Sequence, residues 1–130
     1  MAPENYRFTR THEWVSYDEA TKTITTGITD FAVKALGDLV YVELPEVGEL
    51  LEIGHPYAEV ESVKAVANIY GAVGADIIEV NQELPNNLEW LVEDPFGKGW
   101  IARGKVPHAE EFEKLLTADQ YARHCASEKH

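Results

Sequence analysis

The run Tyr57-Ala58-Glu59-Val60-Glu61-Ser62-Val63-Lys64-Ala65-Val66-Ala67-Asn68-Ile69-Tyr70-Gly71-Ala72-Val73 decides how this chain folds. Its first half alternates. Tyr57, Glu59, Glu61 and Val63 fall on one side, and Ala58, Val60 and Ser62 on the other, which is the period of a half-buried strand. Ala65–Val73 reads as a second extended run. Two strands that meet at Lys64 place this lysine at a hairpin tip. The tip, Ser62-Val63-Lys64-Ala65, contains neither Gly nor Pro, the usual turn formers. A break with local preference of this kind marks functional sites. Charge sets the lysine apart as well. It is the one Lys or Arg between Lys34 and Lys98, and residues 38–95 carry thirteen Asp and Glu.

Outward from the hairpin, the chain reads as short strands broken by turns. Tyr6–Thr9, Glu13–Ser16 and the Thr-rich Thr21–Gly27 are extended candidates before it. Thr29 or Asp30 is suited to cap a short helix, Phe31–Leu36, that Gly37 stops. Leu39–Leu44 is a β-branched and aromatic strand ended by Pro45, and Glu46–Pro56 turns twice. After the hairpin come a strand Ala75–Val80, a short helix Asn86–Val92 capped by Asn86 or Asn87, a turn Asp94–Gly97 and a last strand Trp100–Lys105. Helical spacing then marks Pro107–Leu116, and Thr117 or Asp119 is placed to cap a second helix, Gln120–Ser127. The expected plan is one domain over 1–130, mainly β, with a β body at about 6–106 and helices at about 107–127.

Composition narrows the function. Of 130 residues, 23 are acidic and 11 basic, for a formal charge of −12. That balance opposes nucleic acid and anionic membrane surfaces and suits partners with basic patches. The single Cys125 excludes an internal disulfide and fits a reducing compartment. Met1–Phe8 lacks the apolar run of a signal peptide, and no stretch approaches a membrane span.

Glu61-Ser62-Val63-Lys64-Ala65 resembles the lipoylation motif of the glycine cleavage system H-protein family. Further blocks match in order: His12-Glu13-Trp14-Val15, Gly27-Ile28-Thr29-Asp30, Ala35-Leu36-Gly37-Asp38, Val42–Gly48, Glu79-Val80-Asn81 and Glu93–Trp100. The resemblance runs from about Tyr6 to about Tyr121. It implies a lipoyl/biotinyl-type barrel-sandwich hybrid with short helices and a helical C-terminus. It also implies a non-catalytic carrier with lipoate in amide linkage on Lys64, recognised through Glu61, Ser62, Val63 and Ala65. Such a carrier takes an aminomethyl group from glycine decarboxylase to a folate-dependent aminomethyltransferase, and its dithiol to dihydrolipoyl dehydrogenase. A lipoate ligase or octanoyl/lipoyl transferase installs the arm. Glu13 and Asn68 are implied as an arm cleft; the family often has Asp at the second position. Gly71–Asp76 departs from the usual Ala-Pro-Val-Ser-Gly run, and Phe31 stands where His or Tyr is frequent. These departures leave open a second role, an H-like donor or relay of lipoate to other lipoyl domains. A monomer is implied, in the bacterial cytosol or in the mitochondrial matrix after presequence removal.

Other readings are weaker. The Asp-Lys-Ala tip of 2-oxoacid dehydrogenase lipoyl domains and the Met-Lys-Met tip of biotin carriers do not match Val63-Lys64-Ala65. His12, His55, His108, His124 and His130 show no zinc-type spacing, so no metal is expected. His124 and Cys125 are helical neighbours about 100° apart and do not face each other. Glu59 and Glu61 share a strand face, read as a solvated edge. Trp14, Trp90 and Trp100 read as packing residues, and no enzyme constellation stands out.

Overall fold

Strands dominate because the body of the chain alternates and is rich in Val, Ile and Thr. The computed structural model describes residues 5–107 and 109–128. His108 and His130 therefore lie outside the described residues. Among the described residues, nine strands form two antiparallel sheets. The larger has the order β1 (Arg7–Phe8), β2 (Glu13–Asp18), β3 (Thr23–Ile28), β9 (Ala102–Lys105), β8 (Ala75–Val80), β5 (Leu50–Leu51). The smaller places β6 (Pro56–Ser62) between β4 (Leu39–Glu43) and β7 (Val66–Tyr70). Val15, Ile24 and Ile77 from the first sheet meet Val42, Val60 and Ile69 from the second in one buried cluster.

The predicted faces of the hairpin hold along β6. Ala58, Val60 and Ser62 are buried, while Glu59 and Glu61 are exposed. Tyr57 departs from the face that its period shares with Glu59 and Glu61. The register shifts between Pro56 and Ala58, which turns Tyr57 onto the core. The following strand is shorter than expected, ending at Tyr70 and not at Val73. Gly71 leaves the ladder to give its amide to His55 O at 2.9 Å and its carbonyl to the Gly54 amide at 3.0 Å. The two-residue strand β5, inside the stretch read only as turns, was not foreseen. It pairs Leu50 and Leu51 with Asp76 and Ala75.

The first and last helices follow side-chain caps. In α1 (Asp30–Leu36) Thr29 Oγ1 accepts from the Ala32 amide at 3.2 Å, and Gly37, at φ 83°, ends the helix. The expected helix Asn86–Val92 splits. Pro85 starts a 3-10 turn over Leu84–Asn86, and α2 spans Glu89–Glu93. Asn87 serves the turn, donating to Glu83 O, and Leu88 takes the cap position without a side-chain bond. The expected helix Pro107–Leu116 is reduced to one turn, α3 (Glu110–Glu113). Leu116 exchanges two backbone bonds of 2.9 Å with Phe8, and that bridge pulls the chain out of helix. Thr117 and Gln120 then form a reciprocal capping box on α4 (Ala118–Glu128). Tyr121 of α4 stacks on Phe8 at 4.7 Å, closing a smaller cluster with the buried Trp14.

The Gly71 crossing tolerates no side chain, because a Cβ there would collide with the Glu52 carbonyl oxygen. Gly71→Ala is expected to cost about 2 kcal/mol or more, since the opposing atom is backbone and cannot swing away. Urea unfolding of the two proteins measures it, as a lower midpoint for the variant.

Candidate functional site

The hairpin tip needs no glycine because Ser62 builds the turn. Its amide donates to Ala65 O at 2.8 Å, and its Oγ accepts from the Lys64 amide at 3.3 Å and the Ala65 amide at 3.1 Å. The Ser62 side chain is buried, so water competes little for these bonds. A second tie comes from outside the hairpin, where the Val63 amide donates to Asp38 O at 3.0 Å. The backbone on both sides of Lys64 is thus fixed while its side chain is exposed. Gly37 lies beside the lysine stem, and a Cβ on Gly37 would sit 3.7 Å from Lys64 Cε.

An apolar rim surrounds the tip. Val63 and Val66 are 69% and 60% exposed, and the outward Val40 and Tyr41 of β4 add to it. The bulge between Leu39 and Tyr41 turns both of those side chains outward. Glu61, opposite Tyr41, supplies a carboxylate at the rim. A cleft of about 330 Å³ opens next to Gly37, lined by the apolar Val33, Leu39, Leu88 and Val92 and by the charged Lys34, Asp38 and Glu89. These residues fit an acyl arm extending from Lys64: an exposed amine, a fixed backbone and open space beside it.

The two residues expected to share an arm cleft lie in different clefts. Glu13 lines a cavity of about 370 Å³ with Thr9, Thr11, Ile53, Tyr70 and Leu115. Its carboxylate is buried at 1% exposure yet has partners on both oxygens. Thr9 and Thr11 hydroxyls donate to Oε1, and the Tyr70 amide donates to Oε2 at 3.2 Å. Burial pushes this carboxyl above the ordinary 4.5, with the Thr11 and Thr9 hydrogen bonds and the Tyr70 amide opposing. Asn68 is exposed on β7, opposite Glu59, in a separate cleft with Glu43, Glu46 and Glu49. A neutral amide there adds no like charge to that acidic row.

Other sequence candidates resolve simply. Glu59 and Glu61 are exposed, but β6 is the central strand of its sheet, so the edge reading is corrected. Burial pushes the Cys125 thiol up, the opposite of an activated nucleophile. Trp14 is core, its indole donating to Pro95 O at 2.9 Å; Trp90 and Trp100 are half-buried. Sequence reading missed the structural part of Gly37 and Asp38 at the tip, although a glycine ending a helix just before a strand was visible. It also missed His12, His124 and Glu128, which come together although 112 positions separate the histidines.

Comparison with known proteins agrees with this geometry. The family model described as glycine cleavage H-protein matches residues 6–128. A glycine cleavage system H protein of Halothermothrix orenii is 41% identical over 122 residues, covering 94% of each chain. One from Thermotoga maritima is 43% identical over 122 residues, covering 94% of this chain and 97% of its own. The crystal structure of a glycine cleavage system H protein from Mycobacterium marinum superposes with a TM-score of 0.83 at 37% identity, over 94% of this chain and 97% of that one. The chain belongs to the glycine cleavage H-protein family, and its role is that of a lipoyl carrier in the glycine cleavage system.

Proposed function

We propose that Lys64 is the residue that carries lipoate, in amide linkage, and that the chain turns over no substrate itself. The observation that carries this is the solitary exposed lysine on a backbone fixed by Ser62 and Asp38. The lipoyl disulfide supplies thiol exchange and a sulfur that accepts the one-carbon unit. The protein supplies position. Ser62 holds the turn, Val63 and Ala65 flank the amine, and Glu61 with the apolar rim offers a lipoate ligase or octanoyl/lipoyl transferase its contact. Gly37 leaves room for the stem. Glu13 is placed to face a cationic arm end in its cleft, and Asn68 marks a separate polar surface. The partners are glycine decarboxylase, an aminomethyltransferase and dihydrolipoyl dehydrogenase, steered to the carrier by its acidic surface. The chain works as one monomeric carrier domain over residues 1–130, in the bacterial cytoplasm. Bacterial relatives and the absence, among the described residues, of a helix able to cross a membrane support that setting.

Co-expression with a lipoate ligase and lipoate, followed by intact mass and peptide mapping, tests the attachment. One lipoyl group on Lys64, absent from Lys64→Arg, is expected. An unmodified Lys64 beside an active ligase control overturns it.

The buried carboxylate yields a second expectation. Because the Glu13 carboxyl is raised in the folded chain, the folded state keeps a proton the unfolded state has released above about pH 4.5. The folded state then binds more protons, so stability falls as pH rises through that interval. Relative to Glu13→Gln, the native protein loses stability from pH 4.5 upward and recovers it on acidification. Paired urea titrations across this range show the difference narrowing or reversing with pH; parallel curves contradict it.

A further inference from the structure

His12, His124 and Glu128 converge from two ends of the chain. His12 sits just before β2, with its backbone at φ 74°, a region that costs a non-glycine residue energy and fixes its side-chain direction. Its ring stacks on Phe31 at 4.5 Å. Its Nδ1 is 2.7 Å from the Tyr121 hydroxyl, which is 2.6 Å from Thr29 Oγ1. Its Nε2 is 2.8 Å from Glu128 Oε2. His124 lies one helical turn before Glu128, and its Nε2 is 3.0 Å from Glu128 Oε1 and 2.9 Å from Arg10 O. Both imidazoles are 15% exposed and the carboxylate 39%, so the group is sheltered yet open on one side.

We propose that His12 Nε2, His124 Nε2 and the Glu128 carboxylate form a site for a divalent transition-metal ion of the zinc type. Their ligand atoms all lie within 4.8 Å of one another. Zinc takes nitrogen and carboxylate oxygen at about 2.0–2.2 Å in tetrahedral geometry, so small side-chain adjustments seat it, with one position left for water. Without metal, protons on the ring nitrogens satisfy the carboxylate. On binding, the proton on each Nε2 passes by way of solvent to Nδ1, and the neutral imidazole then gives its Nε2 lone pair to the metal. For His12 that arrangement is ready-made, because Nδ1–H then donates to the Tyr121 hydroxyl, the outer-shell bond typical of metal-bound histidine. His124 gives up the Arg10 carbonyl. Two imidazoles and a carboxylate suit zinc over calcium or magnesium, which prefer all-oxygen sites. The ion would clamp α4 to the Thr9–Glu13 segment that walls the Glu13 cleft, which makes this a stabilising site distinct from the Lys64 tip. The inference does not depend on the lipoyl reading.

Calorimetric titration with zinc chloride tests it on unlipoylated protein, so that no arm sulfur competes. His55, His108 and His130 are replaced by Ala, leaving His12 and His124 as the imidazoles. One ion per chain is expected, with the thermal midpoint raised by about 5 °C at saturation. His124→Gln, Glu128→Gln and His12→Asn, the last chosen because Asn tolerates positive φ, are each expected to weaken binding about tenfold or more. Cys125→Ser is expected to leave binding unchanged. No zinc uptake, uptake that follows Cys125, or equal affinity in a His124→Gln protein with a native circular-dichroism spectrum overturns the proposal.

Discussion

The Ser62 hydroxyl, accepting from the Lys64 and Ala65 amides, is the contact on which the working end of this protein depends. A hairpin tip made of Val, Lys and Ala has no intrinsic reason to turn sharply. One buried side chain supplies what Gly or Pro would otherwise supply, and it leaves the side chains of Val63, Lys64 and Ala65 exposed. The Asp38 carbonyl then ties the tip to the start of β4. Fixing the backbone and freeing the side chain is what the attachment proposed at Lys64 needs.

The two sheets explain why the hairpin tip is rigid. β6 lies between β4 and β7, so the hairpin is held along both sides and its inner face is buried in the shared core. The tight crossing at Gly71 against Glu52 joins the hairpin to the loop before β6. Glu13 then links the sheets chemically. It belongs to β2, yet one of its oxygens accepts from the Tyr70 amide of β7. A carboxylate at 1% exposure is costly to desolvate, and three hydrogen-bond donors offset only part of that cost.

Local patterns were legible where they were strong. Alternation along Tyr57–Val63 set Ala58, Val60 and Ser62 on the face opposite Glu59 and Glu61, and of the two cap candidates, Thr29 and Asp30, Thr29 caps α1, with Gly37 ending it. Lys64 stood out through the absence of neighbouring bases and of turn residues. What the sequence hid was decided by distant partners. Nothing local in Pro107–Leu116 announces that Leu116 will pair with Phe8 and stop a helix. The bulge at Pro56–Ala58 turns Tyr57 inward against its period. Glu13 and Asn68, implied together by resemblance, lie in different clefts because β7 shows Asn68 to solvent and the Tyr70 amide to Glu13. The histidine pair escaped for the same reason, since only the docking of α4 on β1 brings His124 beside His12.

Glycine-dependent exchange of labelled bicarbonate by purified glycine decarboxylase tests the carrier role most directly. The lipoylated protein is expected to support exchange, with the unmodified protein and Lys64→Arg inactive. Lipoylated protein that supports no exchange, or equal exchange with Lys64→Arg, would contradict it.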